Sequence, residues 1–439
     1  MHARTLSLFA GAAGLLCGTA VASVPQCTNV TLAPIPGGAE LSYDLDSDAA
    51  VTLELFDDGV ALSPDALQTL KGDGWGFVKS GTGRKIVWKG CKDVPNRRYA
   101  KLKAVVTAWD PDIPPPYMVV DIRPGKGMVA YYASADKVPL GVTNKMYKTT
   151  HLVLAKVPAA GRTWTLGSKP GAESTPRREI QRSVALTEDY YLGIYPVTGG
   201  QWLQFKATNP SSSHFYGADK DVSPVETVKW ADIHGGSKMT DAPSADSFLG
   251  LLRARTGMDF NLPRAAQWEV ACRAGCGGDC NVPGASKDET AWMSGNWKND
   301  PKYAAGLYAQ NQTHEVGLLK PNAFGLYDML GNVLEQGRDY LFDDEIAFIA
   351  CFGPGARKDN YRDIVWIDPE INEASIVVDG KTYDKKCTGR WGGAFRESGK
   401  SVNPSRWAAS GGNAEVDTGF RVWCSVRNAG RFNGERDGR

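Results

Sequence analysis

Residues 321–339, PNAFGLYDMLGNVLEQGRD, limit what this chain can fold into more than any other stretch. Phe324, Leu326, Tyr327, Met329 and Leu330 need a core to enter. Asn322, Gly325, Gly331, Asn332 and Gly337 punctuate them, and such residues serve backbone conformations that bulkier side chains resist. Asp328 and Glu335 can turn towards one point if the chain coils at Gly331 and Asn332. The stretch reads as a buried, irregular, oxygen-rich loop rather than a regular element.

A chain of 439 residues has room for two or three such cores. Its 42% hydrophobic and 23% charged residues suit a globular protein, and 49 glycines with 13 tryptophans suggest much loop packed against large anchors. The formal net charge of +1 gives no reason to expect nucleic acid or an anionic membrane as partner.

Residues 1–23 hold an apolar run with Val21, Ala22 and Ser23 at its end, the pattern of a cleaved signal peptide rather than a membrane span. Leu16 is too bulky for lipid attachment at Cys17. No later run is long enough to cross a bilayer. A secreted or periplasmic chain is therefore expected. Cysteine use agrees: without Cys17, eight remain, an even number that suggests disulfides. Cys27 with Cys91 and Cys351 with Cys387 are the expected pairs, while Cys272, Cys276, Cys280 and Cys424 stay unassigned. Zinc at CRAGCGGDC is disfavoured because no CxxC step occurs.

Residues 24–110 read as a small all-β sandwich, immunoglobulin- or fibronectin-like. Val51, Leu53 and Leu55 alternate with polar residues, and clusters such as Asp57, Asp58 and Gly59 mark turns. Asp44, Asp46 and Asp48 resemble a calcium loop, but Ala49 and Leu55 stand where such a loop needs glycine and glutamate, so a solvated turn is expected. The prolines of residues 111–116, PDIPPP, make a stiff linker, followed to residue 150 by an extended arm. The second domain spans 151–427, before a disordered tail at 428–439. Two helices are legible in it: residues 244–256, ended by Gly257, and 264–274, begun by Pro263 and ended by Gly275.

Residues 321–339 resemble the signature of the formylglycine-generating enzyme family, also called sulfatase-modifying factors. The segments 157–168 (VPAAGRTWTLGS), 224–232 (PVETVKWAD), 262–275 (LPRAAQWEVACRAG), 390–394 (RWGGA) and 419–421 (GFR) follow in that family's order. The resemblance implies an α+β, loop-rich domain related in shape to C-type lectins. It also implies where the site should be. Active members bind copper(I) through two cysteines five residues apart, a soft thiolate pair for a soft ion. Here the first position is Glu397 and the second Val402; the serine position is Ala394, and the tryptophan position is Leu334. Glutamate is a hard ligand and valine is none, so copper is not expected.

Three readings follow. Trp391, Phe395, Trp407, Phe420 and Trp423 supply core, with Arg421 in a buried salt bridge. Alternatively Arg396, Glu397, Asn403, Ser405, Arg406 and Trp407 form a face for an unidentified ligand, carbohydrate or protein. A formylglycine-generating oxidase acting on sulfatases would need a rebuilt metal site involving Cys351 or Cys387. By resemblance, Asp328 and Glu335 with the carbonyls of Gly331 and Val333 match a structural calcium site. The opposing expectation is that both carboxylates cap amides or pair with arginines such as Arg338. Asn296 and Trp297 match a second calcium site, where Tyr308 replaces an aspartate. The reading favoured is a pseudoenzyme that binds a ligand or partner.

Overall fold

The fold is drawn from a computed structural model. It describes residues 24–168, 181–212, 218–236, 242–300, 312–341, 365–367, 375–378, 381–384, 387–410 and 413–426. The expected leader and tail, Tyr308 and Cys351 lie outside the described residues, as do the side chains of Cys387 and Trp407.

Two sheets form the N-terminal region, which is all-β apart from single short turns of helix. One runs in the order Cys27–Ile35, Gly38–Leu45, Gly81–Trp88 and Lys71–Gly72. The other centres on Ala49–Asp57, with Leu102–Trp109 along one side and Val60–Ala61 and Trp75–Val78 along the other. Leu41, Tyr43 and Ile86 from the first sheet meet Val51, Leu53 and Leu55 from the second in one core. The alternation expected at 51–55 is realised. Asp44, Asp46 and Asp48 accept loop amides from Gly83 (2.7 Å), Gln26 (2.8 Å) and Ser80 (2.8 Å), which is what a solvated turn requires.

The expected disulfide between Cys27 and Cys91 is corrected here, because both are free thiols. Cys27 pairs with Leu45 at one end of the hairpin, while the amide of Cys91 bonds Gly37 at its turn. Eight residues of extended strand put them about 25 Å apart, far beyond disulfide reach.

The second region is built on six antiparallel strands in the order Val129–Tyr132, Tyr117–Asp121, His151–Val157, Tyr190–Gly193, Trp423–Ser425 and Phe260–Asn261. Tyr117–Asp121, expected as part of an arm, pairs along the length of His151–Val157 as a member of this sheet. A second sheet orders Trp407–Ser410, Cys387–Trp391, Leu334–Leu341 and Thr418–Phe420. The signature stretch is thus irregular to Val333 apart from Leu330–Gly331, which pairs with Ala291–Trp292; from Leu334 it is a strand, because Glu335 and Gln336 find partners on both sides, in Trp391 and Arg390 and in Gly419 and Phe420.

Both expected helices form, the first starting four residues later than expected because Ser247, not Ser244, caps it. Phe248–Thr256 is capped by the Ser247 hydroxyl and ended by Gly257 at φ 76°. Ala265–Arg273 ends at Ala274, φ 47°, and buries Trp268, Val270, Ala271 and Cys272 against the main core.

Candidate functional site

The loop leaving strand Cys387–Trp391 begins with Gly392 and Gly393, both at positive φ (94° and 75°). Neither tolerates a side chain. A Cβ at Gly392 would lie 2.8 Å from the Met329 carbonyl, and one at Gly393 would lie 2.8 Å from Val402 Cγ2 and 3.1 Å from Glu397 Oε2. Glu397 and Val402 therefore converge on one place, beside the glycine pair.

Hydrogen bonds hold that place open as a defined loop. The Glu397 amide bonds the Ala394 carbonyl (2.9 Å), and its own carbonyl accepts the Ser294 amide (2.9 Å). Lys287 Nζ donates to the carbonyls of Gly399 (2.6 Å) and Val402 (2.8 Å), pinning the far side. Asn403 is buried, and its Oδ1 accepts from the amides of Ser405 and Arg406 at 3.2 and 2.9 Å. It caps a turn rather than facing a ligand. The Ser405 hydroxyl is also buried, 2.6 Å from that of Ser168.

Three of the expected face residues retain solvent access. Arg396 is exposed, its Nε 2.8 Å from the buried Asp417. Glu397 and Arg406 are half-buried. Burial pushes the Glu397 carboxyl above its usual value, and Arg406 opposes that shift. Leu334 and Ala394, the other two departures from the resembled pattern, are buried together with Phe395 in a small apolar cluster. A hydroxyl and an indole position have become a methyl and an isobutyl group packed on one ring. The donor set at this place does not fit copper(I): one oxygen ligand and one hydrocarbon cannot hold a soft ion.

Both carboxylates of the signature stretch have partners within the fold, Glu335 in Arg421 and Asp328 in a backbone amide. Arg421, fully buried, donates from Nη2 to Glu335 Oε1 (2.8 Å), from Nε to both Glu335 oxygens (3.1 Å), and to the carbonyls of Gly193, Tyr327 and Asp328. Trp268 Nε1 adds a bond to Glu335 at 2.7 Å. Asp328 accepts the Gly317 amide at 2.7 Å, and burial raises its pKa. Arg421 thus occupies the Glu335 side of this oxygen-rich place, where a calcium ion would have to compete with its guanidinium. Arg338 instead lies over the Trp423 ring. Asn296 is likewise spent on backbone, bonding the Met293 amide and the Ala291 carbonyl. Among the described residues no group of three or more histidine, cysteine, aspartate or glutamate side chains is arranged to hold a metal.

Sequence reasoning missed Lys287 and Asp417. Each acts on the loop from a distant segment, and no local pattern marks either. Ser168 lay at the end of a recognised segment, without a role.

The profile of the sulfatase-modifying factor enzyme 1-like domain matches residues 155–426. The chaperone protein LppX of Paenibacillus barcinonensis is 29% identical over 197 residues, covering 38% of this chain and 67% of that protein. Two solved structures are similar at a TM-score of 0.43: PvdO from Pseudomonas aeruginosa and variable protein 1 of Treponema denticola. Their identities are 20% and 21%, over 62% and 63% of this chain and 94% and 96% of theirs.

Proposed function

This chain belongs to the sulfatase-modifying factor family, and we propose that it is a member without oxidase chemistry that binds a ligand or a partner protein. The observation that carries this reading is the pair beside Gly393. The two positions that match the family's copper cysteines still face one spot, yet they offer a carboxylate and an isopropyl group. The burial of Ala394 against Leu334 and Phe395 supports the same reading, since the neighbouring polar position has also become apolar.

What the site offers instead is a half-buried carboxyl, that of Glu397, with Arg406 acting on it. Such a group recognises donors: an ammonium, an amide or a hydroxyl of the bound molecule. Arg396 and Arg406 supply the planar cations favoured at binding surfaces. The name of the relative LppX, a chaperone protein, agrees with partner binding. In this proposal the domain has the α+β, C-type-lectin-related shape, and its loops present the binding face. The sandwich at 24–110 is a spacer or second binding module. The leader-like residues 1–23 send the protein to a periplasm or out of the cell. Among the described residues no helix is long and apolar enough to cross a membrane.

The test offers copper(I) to the chain purified from Val24 onward, followed by a peptide with the sulfatase motif C-x-P-x-R under air. Mass spectrometry reads conversion of the peptide cysteine to the aldehyde. The expected result is neither stoichiometric copper binding nor conversion. Turnover that disappears on substituting Cys351 or Cys387 would overturn the proposal and reveal a rebuilt metal site.

A further inference from the structure

Where the two regions meet, a cleft of about 530 Å³ opens to solvent between the strand Trp75–Val78, the segment at Lys71–Gly72 and the turn at residues 125–127. Its size falls within the roughly 300–1,000 Å³ of small-molecule sites, which favour domain boundaries. Its walls are held in place. A Cβ at Gly72 (φ +93°) would stand 2.2 Å from the Lys85 carbonyl, and one at Gly127 (φ +137°) 2.2 Å from that of Arg255. Both turns therefore require glycine. Across the boundary Lys126 Nζ donates to the Gln68 carbonyl, and Arg123 Nη1 reaches Asp65 Oδ1 at 2.6 Å. The cleft is open without being loose.

Its chemistry is specific. Trp75 and Phe77 alternate along one strand, so their half-buried rings leave the same face, about 7 Å apart. Lys71 and Lys126 line the same space with one carboxylate, Asp73, which faces Arg84 at 3.9 Å, while Arg255 borders it with its guanidinium held by the carbonyls of Ile122 and Gln204. A positive space with two flat apolar platforms in a row suits a molecule with repeating apolar faces, a polar rim and negative charge. Successive sugar rings have this form; a nucleotide offers one flat unit. We infer that this cleft binds a short acidic oligosaccharide, with carboxylate or sulfate groups on its rings. This inference does not depend on the Glu397 face.

Isothermal titration of the full chain tests it, with a galacturonic acid trisaccharide as probe beside neutral galactotriose, AMP and inorganic sulfate. The acidic trisaccharide is expected to bind at least about tenfold more tightly than each of the others and to weaken as salt rises. Phe77→Ala should weaken it about tenfold and Lys71→Gln about threefold, both with unchanged melting temperature. Arg406→Ala should leave it unaltered, separating this site from the loop at Gly393. Lys71 is exposed, so its substitution remains a test if Phe77→Ala proves unstable. Absence of trisaccharide binding, equal binding of AMP or sulfate, or binding indifferent to the cleft variants overturns the inference.

Discussion

Arg421 has no solvent to fall back on. Its guanidinium is balanced by Glu335, itself 1% exposed, and by three main-chain carbonyls. Arg421→Met would strand the Glu335 carboxylate in the core with Trp268 as its remaining donor among those described. Breaking one side of a buried ion pair costs about 3–5 kcal/mol. Urea unfolding should show a loss of that size, and a loss below about 1 kcal/mol would mean the pair is not buried as described. The same arrangement makes a prediction about metal. Since Arg421 already balances the Glu335 charge, calcium should leave the melting temperature unchanged, and EDTA likewise. A calcium-dependent rise that is abolished by Asp328→Asn would return these carboxylates to the role of ligands.

At the scale of elements, short-range signals were reliable where one residue carries one structural duty. Ser247 caps its helix through the Gly250 amide at 3.1 Å, and Gly257 ends it in the left-handed region. Ser247→Ala should cost about 1 kcal/mol, and Gly257→Ala a comparable amount, since alanine resists positive φ. Gly331→Ala should cost more than either, because its Cβ would stand 2.2 Å from the Trp292 carbonyl. Thermal melts of the three variants rank them directly. These features were legible because a cap or a turn is decided within a few residues. The strand Tyr117–Asp121 was not. All but its first residue are fully buried, so it lacks the alternation that marks a half-exposed strand, and the prolines before it suggest a linker. The candidate site was legible in part for the same reason. Ordered motifs identified Glu397 and Val402, but the lysine that pins their loop comes from residue 287, and the acid that holds Arg396 sits at residue 417. Only tertiary packing joins them.

Across the whole molecule, the strand Ala49–Asp57 serves two cores. Val51, Leu53 and Leu55 enter the sandwich, while Ala50 belongs to the core of the second region and Thr52 Oγ1 accepts the Tyr131 amide at 2.9 Å. The two regions should therefore unfold together. His151 lies beside this boundary, buried, with Nδ1 3.0 Å from Thr150 Oγ1 and Nε2 3.8 Å from Asp121. Its pKa falls from 6.5 to about 4, chiefly through burial; Asp121 and Asp65 oppose that fall and Arg123 adds to it. Below pH 6.5 the unfolded chain takes up a proton at this imidazole, while the folded one refuses it until about pH 4. Stability is thus complete above the unfolded value and declines as pH falls through that window, by about 3 kcal/mol at ~1.4 kcal/mol per pH unit. His151→Gln removes the titrating group. The difference in urea-unfolding free energy between the native chain and this variant should therefore shrink from pH 7 to pH 4.5. A difference independent of pH would falsify the neutral buried imidazole. If the decline is found, acid destabilises the molecule through a buried group at the seam between its two regions.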